Sequence, residues 1–390
     1  MQSRRTFLSS LVALTIAAGA YVYWSRFRKR PVPEVLDAVD ALTRRFIHDS
    51  GVSAGQLAII RNGAPIFSKV YAAAPPTGYA AVTTQTLFRL ASCSKMFTCA
   101  AIDALHSSGK LDLNQKVFPL LGIDKPAISG DQPDPRINDI TVQHLVEHAG
   151  GWNLRVPVQI KVGPAIPAYH WDPIFRMREV ALDLGLAVPP TKLELARYMY
   201  GKPLQFVPGT QDYKSTGGSS YSNFGYILLG LLVEAVTGQP YIDFLRTLDD
   251  GEAWPNVFVS PMLSREKNPR EVWYDDPGVG LTALEPRSDK ELPFAYGGGG
   301  FITEPMDSGG GLMTNAETLA QFSQRHAAWG IGARVPDSER NGSMAGTYSA
   351  TFSRRNGIDC AFVLNNTRFN GDEGIKDRYV RSLRRLLDQL

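Results

Sequence analysis

Phe88-Arg89-Leu90-Ala91-Ser92-Cys93-Ser94-Lys95 is the stretch around which the rest of the chain arranges itself. A serine three residues before a lysine puts hydroxyl and amine on one helix face, one turn apart. There the amine can take the proton as the serine attacks an acyl carbon. From Ala91 to Ser107, Cys93, Met96, Phe97, Ala100, Ala101 and Ala104 recur at i, i+3, i+4 spacing, and the other faces are poor in charge, which predicts a helix buried on most sides. The Ser-x-x-Lys spacing is not selective by itself. It recurs at Ser107 to Lys110, a helix end, and at Ser264 to Lys267, a charged loop, where it reads as chance.

Upstream of this stretch, Val35, Leu36, Val39, Leu42 and Phe46 predict an amphipathic helix over 33–49. Gln56 to Ile60 and Pro65 to Tyr71 then read as strands joined around Asn62-Gly63, two residues that tolerate positive φ. The far end mirrors this. Thr347 to Ser353 and Ile358 to Asn365 flank Asn356-Gly357, and a closing helix runs from Ile375 to Leu390. Between the ends, Phe224 to Thr237 reads as a helix capped by Asn223 and stopped by Gly238. Thr314-Asn315-Ala316-Glu317 reads as a capping box opening a helix through Phe322. The Pro- and aromatic-rich stretch from Gly150 to Thr210 shows one helical piece, Lys192 to Tyr200, and long loops of this kind line sites or form lids. The expected fold is α+β: an antiparallel sheet flanked by helices, built from both chain ends (31–87 and 296–390), with an inserted helical domain with long loops (88–295).

With 390 residues, 44% hydrophobic and 20% charged, the chain has ordinary globular composition. The net charge of +3 comes from the first 30 residues, which hold six of the 41 Lys and Arg and no acid. The remainder has 35 cations against 38 anions, which offers no stripe to neutralise phosphates and argues against nucleic acid as a partner. Ser3-Arg4-Arg5-Thr6-Phe7-Leu8, an apolar run to Trp24 and the small residues Ala18-Gly19-Ala20 form a twin-arginine export pattern. The expected location is therefore a bacterial periplasm. A rival reading is a membrane anchor over residues 7–24, since roughly 18 apolar residues are about the minimum that spans a bilayer. Arg26 to Arg30 resists translocation on either reading. Cys93, Cys99 and Cys360 read as three small buried hydrophobes, and no cofactor or metal is called for.

Several motifs together resemble the serine β-lactamase and penicillin-binding-protein superfamily, in its class C and esterase-like branch. Phe88 to Lys95 is similar to its nucleophile motif. Ile140-Thr141-Val142-Gln143-His144-Leu145-Val146-Glu147-His148 with Gly150-Gly151 resembles a structural signature of the branch. Pro208-Gly209-Thr210 followed by Tyr221-Ser222-Asn223 resembles its Tyr-x-Asn motif, and Gly309-Gly310-Gly311-Leu312-Met313 is also similar. The matches run in family order over most of 88–366.

The resemblance implies an acylated nucleophile at Ser92, with Lys95 and Tyr221 sharing the proton and Asn223 holding the lysine and a substrate amide. Lysine and tyrosine both ordinarily keep their protons to about pH 10, so one must be depressed, and two groups this close titrate as a pair. The branch's third motif is Lys-Thr-Gly or His-x-Gly on a strand beside the nucleophile. Its counterpart here is Arg340-Asn341-Gly342, ahead of Ser343. Arg-Asn-Gly also stands at Arg61 to Gly63 and Arg355 to Gly357, both hairpin turns, so only its place before the final hairpin supports the assignment. On that assignment the backbone N–H groups of Ser92 and Ser343 form the oxyanion hole, Gly342 lets the strand approach, and Arg340 meets a substrate carboxylate. The missing hydroxyl at position 341 weakens the case for β-lactams and for D-Ala-D-Ala.

The expected function is a serine hydrolase acting through an acyl-enzyme on a small ester, amide or short peptide. Two rivals stand beside it. His144-Leu145-Val146-Glu147-His148 fits the H-x-x-E-H pattern of a zinc peptidase, which would put two imidazoles on one helix face. A catalytically lapsed binding protein of the same fold is the other.

Overall fold

The computed structural model describes residues 31–156, 172–249, 254–263 and 266–390. The export pattern, the anchor reading of 7–24 and Ser264 lie outside the described residues. Helix α1 (Val32–Ser50) buries Val35, Val39 and Phe46 on one face and ends at Gly51, whose φ of 67° terminates it. Strands β1 (Ala54–Arg61) and β2 (Ala64–Ala72) follow as a hairpin turning on Asn62 (φ 49°) and Gly63 (φ 87°).

The middle of the chain holds β3 (Phe88–Arg89), α2 (Ser94–Ser107), α3 (Val117–Leu120), α4 (Val142–Val146), α5 (Met177–Asp183), α6 (Lys192–Tyr200), α7 (Asn223–Thr237) and α8 (Tyr241–Arg246). It also holds short strands, β4 (Phe258–Val259), β5 (Val279–Leu281) and β6 (Glu291–Pro293), too brief to leave a period in the sequence. Strand β7 (Leu312–Thr314) pairs with β3 and β4. Helix α9 (Ala316–Arg325), strands β8 (Glu339–Met344), β9 (Thr347–Ser353) and β10 (Ile358–Leu364), and helix α10 (Glu373–Leu387) close the chain.

The main sheet is antiparallel, in the order β2-β1-β10-β9-β8, so its two central neighbours come from opposite ends of the sequence. Strands β9 and β10 are both buried along their whole lengths, but only β10 reads as a nearly continuous apolar run; β9 alternates Tyr348, Ala350 and Phe352 with threonine and serine, whose hydroxyls are buried too. Helices α1 and α10 cover one face, joined by the stacked Phe46 and Tyr379 rings at 4.2 Å and by a Thr43–Tyr379 hydroxyl bond of 3.0 Å. Helix α9 covers the other and ties the sheet to α2 through Phe97 on Phe322, 3.8 Å between centroids. Such a pair contributes about 0.5–1.5 kcal/mol beyond its buried area.

Two capping expectations are corrected. The cap of α7 is Ser222, whose Oγ accepts from Gly225 N–H, and Asn223 is the first helical residue. Helix α9 is capped by Asn315 alone, accepting from Thr318 N–H at 2.8 Å, while Thr314 belongs to β7. Both helices start as the sequence implies, but the first correction frees the Asn223 side chain for other work. The three cysteines are free and buried.

Candidate active site

Ser92 is held from behind by an anchored strand. Arg89 in β3 is buried, donating from Nε to Ser260 Oγ (2.7 Å) and from Nη1 to Ala295 O (2.6 Å), with Glu271 3.6 Å away and its guanidinium 4.2 Å from the Tyr274 ring. A buried arginine needs that many partners to offset its desolvation. The chain then turns sharply through Ala91, whose φ of 45° is left-handed backbone for a non-glycine residue. A 3-10 turn over Ala91–Cys93 leads into α2, so Ser92 stands just before the helix rather than inside it, half-buried at the edge of a cleft.

Lys95, one turn on, is fully buried. Its Nζ lies 3.3 Å from Ser92 Oγ, 2.6 Å from Asn223 Oδ1, and within hydrogen-bond reach of the Gly309 carbonyl. Two of these three neighbours are oxygens that can only accept. A neutral amine has two N–H bonds and one lone pair, so donating to Asn223 and Gly309 leaves the lone pair for the side where the Ser92 and Tyr221 hydroxyls stand. Burial lowers the Lys95 pKa, and the Arg340 charge acts in the same direction, while Tyr221 and Asp172 oppose it. Burial would raise the Tyr221 pKa, but the charges of Lys95 and Arg340 outweigh it and the net direction is down.

The Gly309 carbonyl is supplied by a tight turn over Asp307–Gly311 packed beneath α2 and α7. The glycine run permits the approach: a Cβ on Gly309 would lie 3.3 Å from Asn223 O, and one on Gly311 would run into the Thr303 carbonyl. On the other side, β8 passes Ser92 as the edge strand of the sheet. A Cβ on Gly342 would lie 2.6 Å from Ser92 N, so the strand comes this close only because position 342 has no side chain. Residues alternate along β8, with Asn341 and Ser343 facing the cleft. The two-residue turn into β9 pairs Met344 with Thr347, which leaves the Ser343 N–H on the free edge. The stretch is thus strand rather than a third hairpin turn.

Arg340 corrects an expectation. It is 2% exposed, donates from Nε to Ser92 O (2.9 Å) and from Nη1 to Ala328 O (3.1 Å), and lies under the Trp329 ring at 4.1 Å. The strand's alternation points it inward, where it acts as a buried charge beside Ser92 and not as a cation on the open wall. The open cleft, about 520 Å³, is lined by Ser92, Tyr221, Asn341 and Ser343 together with Tyr213, Trp329, Leu154 and Arg155. Trp329 stacks on Tyr213 at 5.3 Å, and Arg155 is exposed at the rim. The last four were not legible in the sequence, since they sit on loops without periodicity.

The paired histidines do not share a helix face, which corrects the zinc-peptidase reading. Helix α4 ends at Val146, and His144 Nδ1 accepts from Thr141 N–H in a capping box. His148 follows the helix with φ 57°, accepts from Ser222 N–H at Nδ1 (3.1 Å) and stacks on Tyr221 at 4.3 Å. Burial holds its pKa well below the ordinary range, helped by the Lys95 and Arg340 charges, so the ring is a neutral wedge behind the phenol.

A further residue, Asp172, was missed. Its buried carboxylate accepts from Asn223 Nδ2 at 2.6 Å. Its one sequence signal, an Asp before Pro173, marks a cap and not a partner 51 residues away.

A serine at the mouth of a buried helix, between an antiparallel sheet and a helical layer, defines the β-lactamase/transpeptidase class of fold. The chain belongs to the Beta-lactamase family, whose profile matches residues 39–380. Its members are serine hydrolases of several specificities. An Escherichia coli K12 protein provisionally named a D-alanyl-D-alanine carboxypeptidase is 25% identical over 78% of this chain and 72% of its own length. Penicillin-binding protein 4* of Bacillus subtilis is 26% identical over 44% of this chain and 31% of its own. Among solved structures, the D-amino acid amidase of Ochrobactrum anthropi SV3 superposes with a TM-score of 0.60 at 16% identity, over 91% of this chain and 99% of that one. EstCE1, a hydrolase with promiscuous acyltransferase activity, gives 0.59 at 17% identity, over 91% and 98%.

Proposed function

We propose that the protein hydrolyses small esters or amides, of the carboxylesterase or D-amino-acid peptidase kind, through an ester on Ser92. The observation that carries this is the Lys95 amine, buried and held by two carbonyl oxygens with its remaining side toward the Ser92 and Tyr221 hydroxyls. Ser92 Oγ attacks the acyl carbon as its proton passes to the Lys95–Tyr221 pair. The oxyanion is met by the N–H groups of Ser92 and Ser343, a contribution of about 3–4 kcal/mol where one such donor has been removed. The pair returns the proton to the leaving group, and water then repeats the sequence on the acyl-enzyme. Asn223 orients the amine, and Asn341 presents an amide to the substrate along β8. Aromatic side chains at Tyr213 and Trp329 suit an apolar acyl or leaving group, and Arg155 at the rim takes over the carboxylate role expected of Arg340. The names of the relatives, a carboxypeptidase, an amidase and an esterase, fit this range of substrates.

The test is intact mass after incubation with a fluorophosphonate, with p-nitrophenyl acetate turnover measured in parallel. One adduct is expected, absent in Ser92→Ala, which also loses turnover while its circular dichroism is unchanged. Labelling that survives in Ser92→Ala removes the proposal. A lasting penicillin adduct at Ser92 would move the substrate class toward D-Ala-D-Ala peptides.

A further inference from the structure

We propose that Asp172 is a positioning residue for acylation: it dictates which end of the Asn223 amide faces Lys95. The inference rests on the Ser92–Lys95 reading above. Asp172 is 6% exposed and both its oxygens are committed. Oδ1 accepts from Ile174 N–H at 3.3 Å, capping the 3-10 turn Pro173–Phe175, and Oδ2 accepts from Asn223 Nδ2 at 2.6 Å. Capping needs one acceptor, and a serine or asparagine would serve. The second oxygen has no task in its own element; its partner is on α7.

What that partner requires is an assigned direction. An amide has two ends of nearly equal shape and opposite polarity, so either orientation fits the same space. A carboxylate only accepts. Facing Oδ2 of Asp172, the amide must present Nδ2 to it and therefore Oδ1 to Lys95, where that oxygen lies 2.6 Å from Nζ. Reversed, an NH2 group would face the amine, compete for its lone pair and draw it away from Ser92. Ser222 makes this arrangement available by taking the capping task, which leaves the Asn223 side chain free. Among the described residues, the other charged or titratable groups facing this space include Tyr221, Tyr226, Arg340 and His148. Burial raises the Asp172 pKa, with the Asn223 and Ile174 hydrogen bonds and the Lys95 charge opposing.

The experiment measures the rate of fluorophosphonate labelling from pH 5 to 10, with thermal melts, for the wild type, Asp172→Asn, Asp172→Ser and the exchange Asp172→Asn/Asn223→Asp. Asp172→Asn offers one acceptor to two donors, and its own NH2 turns the Asn223 oxygen toward itself. Asp172→Ser keeps the cap and leaves the amide unassigned. Each should label about ten- to a hundredfold more slowly, the loss expected for a hydrogen bond to a charged group, with melting temperatures near the wild type. The exchange restores an acceptor toward Lys95 and should recover much of the rate, with the rise of rate displaced to higher pH because a carboxylate now touches the amine. Wild-type labelling in Asp172→Asn or Asp172→Ser, losses that follow only the unfolded fraction, or an exchange no faster than Asp172→Asn would each overturn the inference. Persistent labelling of Ser92→Ala would instead sink the hydrolase reading itself, so the two failures are told apart.

Discussion

On the proposed mechanism the Ser92 proton has two destinations, Lys95 Nζ at 3.3 Å and the Tyr221 phenol beside both. Because each favours the other's charged form, they titrate as a unit. Lys95→Ala and Tyr221→Phe should each slow acylation by about 10²–10⁴-fold, the range of a positioned acid–base group. The double variant should be little worse than the worse single, because residues acting together are not additive; multiplicative losses in kcat/KM would show independent roles. The pH dependence follows from the same charges. On the proposed mechanism acylation needs the pair short of one proton, and both members have pKa values below their ordinary ones, so the rate should rise with pH, and do so at lower pH than an unperturbed lysine or tyrosine would give. Arg340 pushes both down. Arg340→Gln should therefore move the rise to higher pH, for neutral esters as much as for acidic ones, and a loss confined to carboxylate substrates would contradict the buried placement of Arg340.

Strand β8 brings Ser343 and Asn341 to the nucleophile by running its backbone against the Ser92 turn, and Gly342 is the point of contact. Gly342→Ala puts a Cβ 2.6 Å from Ser92 N, backbone against side chain, where no flexible atom can yield. One element must shift, at a cost of about 1–3 kcal/mol for overpacking. The expected result is a melting temperature lowered by several degrees and kcat/KM lowered about a hundredfold or more, since a displacement of 1 Å at the site has that effect. Asn341→Ala, on the open face, should leave the melt unchanged and lower kcat/KM modestly. The elements legible in the sequence were those with a local cause. Asn62-Gly63 set one hairpin, Gly238 ended α7, and apolar spacing drew α1 and α2. The serine, lysine, tyrosine and asparagine of the site were legible because their spacing resembles a known pattern. What stayed hidden depends on contacts distant in sequence. Nothing near Arg340 says that Trp329 lies over it, and nothing near Asp172 says that α7 will bring Asn223 to it. The shift of the cap from Asn223 to Ser222 is one residue in sequence, yet it decides whether Asn223 is structural or part of the site.

The whole molecule closes only when both chain ends are present, because β1 pairs with β10 across some 300 residues and α1 packs on α10. Such pairing is slow to nucleate and cannot precede synthesis of the last strands. The Ser92 turn depends on it as well, since β8 and β9 form the wall that the turn leans on: Ser349 Oγ donates to Leu90 O at 2.6 Å. A chain translocated as it emerged would reach its destination before β10 existed. A route that carries finished proteins suits this topology, and Arg4-Arg5 ahead of an apolar run resembles the address such a route reads. We propose that the enzyme is exported folded, with its three buried free cysteines already enclosed. The expected outcome for Arg4→Lys/Arg5→Lys is retention: the full-length chain accumulates in the cytoplasmic fraction, active toward p-nitrophenyl acetate, while the wild type is recovered from the periplasmic or membrane fraction. Fractionation with an antibody to the C-terminal helix measures both. Export of the Lys-Lys variant at wild-type level would assign the leader to a route that threads unfolded chain, and the long-range sheet would then have to assemble after crossing.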